Sequence, residues 1–455
     1  MERPVPSPTA FPTRSDLPLH QELHARPALP ARAPCVVSYW ALADMASERA
    51  DAALLALSRW VGAPDPLPGQ RHARVPGPGW ELKFERHGEF VSWQLNRPLS
   101  AWSWPQDPLQ ARTALQQIGT LDDLPQALLA EFQKPDAGRL IAATHVLMLA
   151  ARGDDELLGQ CREALRGGGG GAGDDSAPLM GAFIGDARNA ALLTQLQLGP
   201  DGFTRFVVLD FGLPRDQAAR EAQRLCEIEA YRMLAMQGFP LAQQESQRLD
   251  ALEQRLQAAV HALAHEPDTD DAAAFAELTA LAAEVEHASA RSGYRFSATR
   301  AYHALVRQRL DDLREQRMMG VQTLSGFLSR RFAPAMAYCE STERRLGALG
   351  ERINRAVNLA RVRIEAQREQ GNQELLRALA TRQQAQLKLQ QTVEGLSVVA
   401  ISYYALGLVG YGAKALAKLP GLPVWWPSAD ALVALAVLPV LGAVAWGLRR
   451  LRRGE

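Results

Sequence analysis

The residues Glu85-Arg86-His87-Gly88-Glu89 set a carboxylate two positions before an imidazole. On an extended strand, alternation puts Glu85 and His87 on one face and Arg86 on the other. A carboxylate beside an imidazole can hold one tautomer and let the ring serve as a general base. Ordinary paired surface charges compete with that reading and are favoured, because no nucleophile or metal partner accompanies the pair. His20 and His24 are a second candidate, for metal, in His20-Gln-Glu-Leu-His24. The zinc-protease order is His-Glu-x-x-His on a helix, with the glutamate as general base, and the order here differs. Pro18 and Pro27 confine the segment to about two helical turns, so docking against a folded domain is favoured over metal binding.

Arg295 and Arg300, with Arg307, Arg309, Tyr294, Phe296 and Tyr302, make a basic and aromatic stretch suited to phosphate or lipid headgroups. From Arg330 to Glu369 nine Arg stand against five Glu, a surplus of four positive charges. Solvated helix faces carrying Glu–Arg pairs explain the same pattern and are favoured. The glycine run Gly167–Gly173 invites a phosphate-loop reading that its context defeats. Such a loop follows a strand and opens a helix. Here a helical stretch, Glu156 to Arg166, precedes the run, and Asp174 and Asp175 follow it. A flexible linker is the better reading, and no cofactor is implied.

The elements that would position these side chains can be read from periodicity. Cys35 to Leu42 reads as a strand, and Trp80 to Arg97 alternates about His87-Gly88 as a β-hairpin does. Leu140 to Ala150 and Phe203 to Leu209 are apolar runs suited to core strands, and Ser47 to Trp60 is helical. Residues 35–213 are therefore expected to form an α/β domain with a mixed sheet, behind a Pro-rich segment 1–34. After Pro214 the composition turns to Ala, Gln, Glu, Arg and Leu. A helix is expected over Arg215 to Gln237, broken at Gly238-Phe239-Pro240, with a second to His265. Asp271 caps a third, ending near Gly293. From Ala335 to Leu419 there is no proline. Leu346, Ile353 and Ala360, with Val357 and Ile364, keep a heptad spacing that drifts towards Leu375 and Leu379, as in an imperfect coiled-coil stalk. The fold class is α+β: an N-terminal α/β domain, a helical stalk over 214–394, a two-helix transmembrane hairpin over 395–448 and a basic tail, 449–455.

The hairpin rests on two runs, Gly395 to Gly412 and Ala431 to Leu448, each of 18 residues without a charge. About 20 such residues span a bilayer as a helix, and Pro439 is tolerated there as a kink. Tyr403, Tyr404, Trp425, Trp426 and Trp446 are suited to the membrane interface, and Arg449, Arg450, Arg452 and Arg453 follow the second run. The positive-inside rule places that end, and hence the chain before the first run, in the cytosol. The N-terminal region carries no apolar targeting core, which agrees. A bacterial inner-membrane protein with both termini cytoplasmic is the expected arrangement.

Composition narrows the function classes. With 50 basic and 50 acidic residues the net charge is zero, which argues against a global nucleic-acid binder. The 47% hydrophobic content excludes wholesale disorder. The four cysteines, Cys35, Cys161, Cys226 and Cys339, are scattered, so reduced buried thiols are expected rather than disulfides or zinc. The segments Glu22 to Pro27 (ELHARP), Lys83 to Phe90 (KFERHGEF), Arg295 to Tyr302 (RFSATRAY), Leu389 to Tyr404 and Gly407 to Tyr411 together resemble a bacterial family of uncharacterised membrane-anchored proteins, domain of unknown function 3422. The resemblance spans nearly the whole chain, implies a membrane anchor and brings no activity or catalytic residue. The architecture also looks loosely like CorA-type magnesium channels. Their Gly-Met-Asn signature is replaced here by Gly410, Tyr411, Gly412, Ala413 and Lys414, and Lys414 would repel a cation. The favoured reading is a non-enzymatic, membrane-anchored interaction platform with the lipid bilayer and an unidentified protein as partners; a second copy joined through the stalk is an alternative that packing of the stalk within its own chain matches or exceeds. A two-span channel subunit is the alternative, and a membrane-tethered enzyme built on Glu85 and His87 ranks below both.

Overall fold

The computed structural model describes residues 28–100, 102–119, 121, 123–151, 155–166, 178–265, 271–418 and 427–452. His20, His24, the 22–27 segment, the 167–173 glycine run, Trp425, Trp426 and Arg453 lie outside the described residues. The chain divides into two compact units, one of Met1–Glu266 with Ala276–Ala356, the other of Pro267–Phe275 with Val357–Glu455.

The first unit is built on strand β1 (Cys35–Ala43), followed by helix α1 (Ser47–Val61). Strands β2 (His72–Gly77), β3 (Trp80–Arg86) and β4 (Phe90–Pro98) make an antiparallel meander. Helix α2 (Pro108–Gln117) is capped by Asp107, whose carboxylate accepts from the Gln110 N–H at 3.0 Å. Helix α3 (Gln126–Phe132), strand β5 (Arg139–Ala150) and helix α4 (Asp155–Arg166) follow. Strands β6 (Met180–Ile184), β7 (Ala190–Thr194) and β8 (Thr204–Asp210) lead to helices α5 (Arg215–Met236), α6 (Gly238–His265) and α7 (Asp271–Leu313). The short strand β9 (Gln316–Arg317) and helix α8 (Leu324–Arg331) precede the 84-residue helix α9 (Ala333–Leu416), and α10 (Ala429–Arg452) comes last.

The nine strands form one sheet in the order β2-β3-β4-β1-β5-β8-β7-β6-β9. The β5–β8 pair is parallel and its other neighbouring pairs are antiparallel, so the expected mixed sheet is present. β1 lies near the middle, and all nine of its residues are buried. Cys35, Val37, Tyr39, Ala41 and Ala43 face a cluster completed by α5 and by Phe296, Leu328 and Met336. Trp40 and Leu42 face α1 and α3, and Val36 faces α2 and α4. The sheet is thus covered on both sides, which is why β1 and β5 read as near-continuous apolar runs. The half of the core under α1 is aromatic: Trp93 packs edge-on to Phe84 at 4.7 Å and to Phe132 at 5.3 Å.

One helix differs from expectation. Gly293 does not end α7, which continues to Leu313. The next turns are held by packing: Phe296 is buried, and the Thr299 hydroxyl donates to the Ala235 carbonyl at 3.2 Å. Tertiary contact outweighs the propensity cost of one helical glycine. The Gly238-Phe239-Pro240 break is where expected, and its glycine has a steric reason. A Cβ at position 238 would lie 2.2 Å from Thr299 Oγ1. Strands β2, β6, β7 and β9 and helix α8 were not anticipated. β2 carries Pro76, and the other strands have at most five residues.

In the second unit Arg363 Nε lies 3.0 Å from Asp271 Oδ2, whose side chain is 4% exposed. The two uncharged runs fall inside α9 and α10, both long and apolar enough to cross a membrane. Gly410 lies close to Val433, since a Cβ there would sit 3.5 Å from its Cγ2.

Gly238→Ala should lower stability by about 1–3 kcal/mol through overpacking, although glycine to alanine in an open helix gains stability. Adding Thr299→Ala should recover part of the loss. Denaturant unfolding of the detergent-solubilised chain reads both; a stabilising Gly238→Ala would contradict the packing described.

Candidate functional site

Under α5, the sheet carries a polar strip in an otherwise apolar layer. Leu82, Phe84, Trp93 and Leu95 take the α1 face, so alternation sends Glu81, Lys83 and Glu85 of β3, with Ser92, Gln94 and Asn96 of β4, to the opposite face. Their register pairs Glu81 with Asn96, Lys83 with Gln94, and Glu85 with Ser92. Lys83 is 3% exposed, and its ammonium lies 3.1 Å from Glu85 Oε1. Gln94 donates to Asn96 Oδ1 at 3.0 Å, and Asn96 donates to the Pro30 carbonyl at 3.1 Å. Tyr39, beside Gln94 on β1, faces Ser92, Tyr231 and Cys226, and burial pushes its phenol well above its ordinary pKa.

The strip ends in two clefts. A cavity of about 1250 Å³ opens where Arg32 to Cys35, Gly77, Asn96, α5 and α7 meet. Its wall mixes signs: Arg32, Arg215, Arg220, Arg224 and Arg309 stand with Glu81, Asp216, Glu227 and Asp312. Glu227 accepts from Gln223 at 2.7 Å and from Arg309, while Arg309 also lies 3.5 Å from Asp312. These contacts fix the charges on α5 and α7 before any ligand arrives, a preorganised polar surface. Cys35 lines the same cavity. Burial raises its pKa to about 12, so it is a protonated thiol at neutral pH and a poor nucleophile. The smaller cleft, of about 340 Å³, lies at the β3–β4 turn beside Arg86, His87, Glu89, Tyr294 and Arg295.

The sequence candidates have the following places. Glu85 is paired with Lys83. His87 Nε2 is 3.1 Å from Ser92 Oγ, and its ring stacks on Phe90 at 4.1 Å. Arg295 is bound to Glu89 at 2.8 Å, and Arg300 to Glu343 at 2.7 Å, so each guanidinium already has a carboxylate. Gly410 and Gly412 lie within α9, with Lys414 in its last turn. Among the described residues no group of three or more His, Cys, Asp or Glu could hold a metal ion. The four cysteines are free and buried.

A second constellation escaped the sequence reading. Ser38 Oγ, His145 Nδ1 and, across the ring, Asp201 stand in series, at 2.9 Å and then 3.4 Å from His145 Nε2. Hydroxyl, imidazole and carboxylate are the groups that activate a serine. Here Ser38 is 1% and His145 2% exposed. The ring stacks on Phe203 at 4.1 Å, and a Cβ at Gly119 would lie 2.3 Å from its Nδ1. Ser38 and His145 are packed into the core and Asp201 sits at its exposed edge, so the series ties β1, β5 and the chain before β8 together. Residues 107 positions apart in sequence make the first link, so spacing carries no signal of it.

The family described as Protein of unknown function (DUF3422) matches residues 9–454. The chain belongs to this family. Two of the segments that carried the resemblance, Lys83 to Phe90 and Arg295 to Tyr302, meet in space: Glu89 from the β3–β4 turn holds Arg295 of α7. No curated protein matches the chain.

Two measurements probe this core. Glu85→Gln leaves the Lys83 ammonium buried without its counter-charge and should cost about 3–5 kcal/mol, whereas Lys83→Met with Glu85→Leu should cost much less. Similar losses for both, read by tryptophan fluorescence in denaturant, would contradict a buried pair. Burial lowers the His145 pKa below its ordinary value. Below about pH 6.5 the unfolded chain therefore takes up a proton that the folded ring resists, and stability falls as pH falls. The thermal midpoint should drop between pH 7.5 and 5.5, less steeply in His145→Gln; an unchanged slope in that variant would contradict this account.

Proposed function

We propose that the protein is an inner-membrane anchor carrying a cytosolic interaction platform. The observation that supports anchoring is the state of the two apolar helices. Their apolar windows are 6% and 0% buried within the chain. Leu396, Tyr403, Leu408, Leu435 and Leu438 are each more than 70% exposed. A soluble protein would bury such side chains, at about 1.5–3 kcal/mol each, so lipid is the cover that fits. Arg450 lies over the Trp446 ring at 5.2 Å, a pairing suited to the headgroup layer. The arginines at 449, 450, 452 and 453 favour a cytosolic C-terminus, since moving each across the hydrocarbon costs about 2.5–3.5 kcal/mol.

The platform reading draws on the larger cleft. It offers fixed charges of both signs around a polar floor rather than an activated nucleophile, a surface suited to recognising a charged partner by complementarity.

After carbonate extraction the protein should remain in the membrane fraction. A reporter active only in the periplasm should be silent when fused after Glu455 and active when inserted near Leu422. Activity at Glu455, or a soluble product released without detergent, would contradict the anchor.

A further inference from the structure

We propose that residues Leu375 to Leu396 of α9 pair with the same stretch of a second copy, as a short parallel coiled coil. The direction of pairing rests on the anchor reading above; the pairing itself does not.

Within this stretch Leu375, Leu379, Leu389, Val393 and Leu396 are 61%, 48%, 66%, 56% and 73% exposed. Steps of four, ten, four and three residues keep them on one side of the helix at coiled-coil spacing, with Arg382 and Gln386 completing the seam between them. The opposite side carries Glu374, Arg377, Gln384, Lys388 and Gln391, with Leu387 the one leucine of the stretch off the seam and its flanks. The helix is thus amphipathic although none of the described residues covers it, and a helix of this kind is built to bury one stripe.

The residues beside the seam indicate what covers it. Leu376, Ala378, Gln383, Ala385, Gln390 and Thr392 flank it, and none is charged. Flanking charges are how helices usually select a different partner or an opposite direction. Without them, two identical stretches in register meet no like charges at the flanks. Arg382 interrupts the seam, but its aliphatic stem can lie along it with the guanidinium in water. Gln386 faces its own copy and favours the in-register arrangement.

The same helix continues unbroken into the apolar run that begins at Gly395. Two copies held in one membrane by that run enter it from the same side, so their Leu375–Leu396 stretches are parallel. A seam of about three heptads is marginal in dilute solution, and confinement to one membrane raises the effective concentration that makes it sufficient.

Single cysteines in the full-length protein, in its native membranes, test the pairing. The native cysteines are buried, and the unsubstituted chain is the control. Leu379→Cys and Val393→Cys should form covalent dimers under mild oxidation at least about tenfold faster than Gln384→Cys and Gln391→Cys. Equal rates on both faces, no dimer at either seam position, or cross-linking to a protein of different mass would overturn the pairing. Fractionation of the same cells separates the two readings. Membrane-bound protein without seam-specific dimers overturns the pairing and leaves the anchor; soluble protein with them overturns the anchor and upholds the pairing.

Discussion

An apolar surface must be covered by something, and the second unit of this protein leaves a large one uncovered by the described residues. The uncharged runs in α9 and α10 present leucine, tyrosine and tryptophan outward. Burial of such side chains is the main favourable term in folding, so helices of this composition are stable only where lipid or another protein supplies what the chain does not. Their close approach at Gly410 and Val433 fits helices that pack through small residues.

The first unit answers the same demand with protein. β1 hydrogen-bonds to β4 and β5 and is buried along its whole length. Its sheet carries one helical layer on each face. Against that background the strip from Glu81 to Ser92 stands out, because polar groups inside a sandwich are tolerated only when paired. Lys83 has Glu85, Gln94 has Asn96, and Glu227 has Arg309. Such pairs add little net stability compared with apolar packing. Their arrangement ends in a cleft lined by charges of both signs.

Where local pattern decides structure, the sequence was legible. The β3–β4 hairpin alternates strictly about His87-Gly88, and β1, β5 and β8 are apolar because both faces of the sheet are covered. The short strands β6 and β7 are too brief for periodicity to separate from loop. Gly293 suggested a helix end because a glycine inside a helix is unfavourable in isolation; Phe296 and Thr299 anchor the turns that follow it. Long-range placement was not legible. Glu227 and Arg309 are 82 positions apart, and the burial of Lys83 becomes visible only when α5 lies across the strand. Composition offers Arg295 and Arg300 as phosphate ligands or surface charges, and Glu89 and Glu343 provide partners that composition cannot assign.

We propose that the exposed faces of α9 and α10 face lipid, and spin labels read this directly. A label at Leu435 or Leu438 in the reconstituted protein should be accessible to oxygen and shielded from a polar nickel chelate, as hydrocarbon requires. Equal or greater access for the nickel chelate at both positions would place those side chains in water and contradict the account.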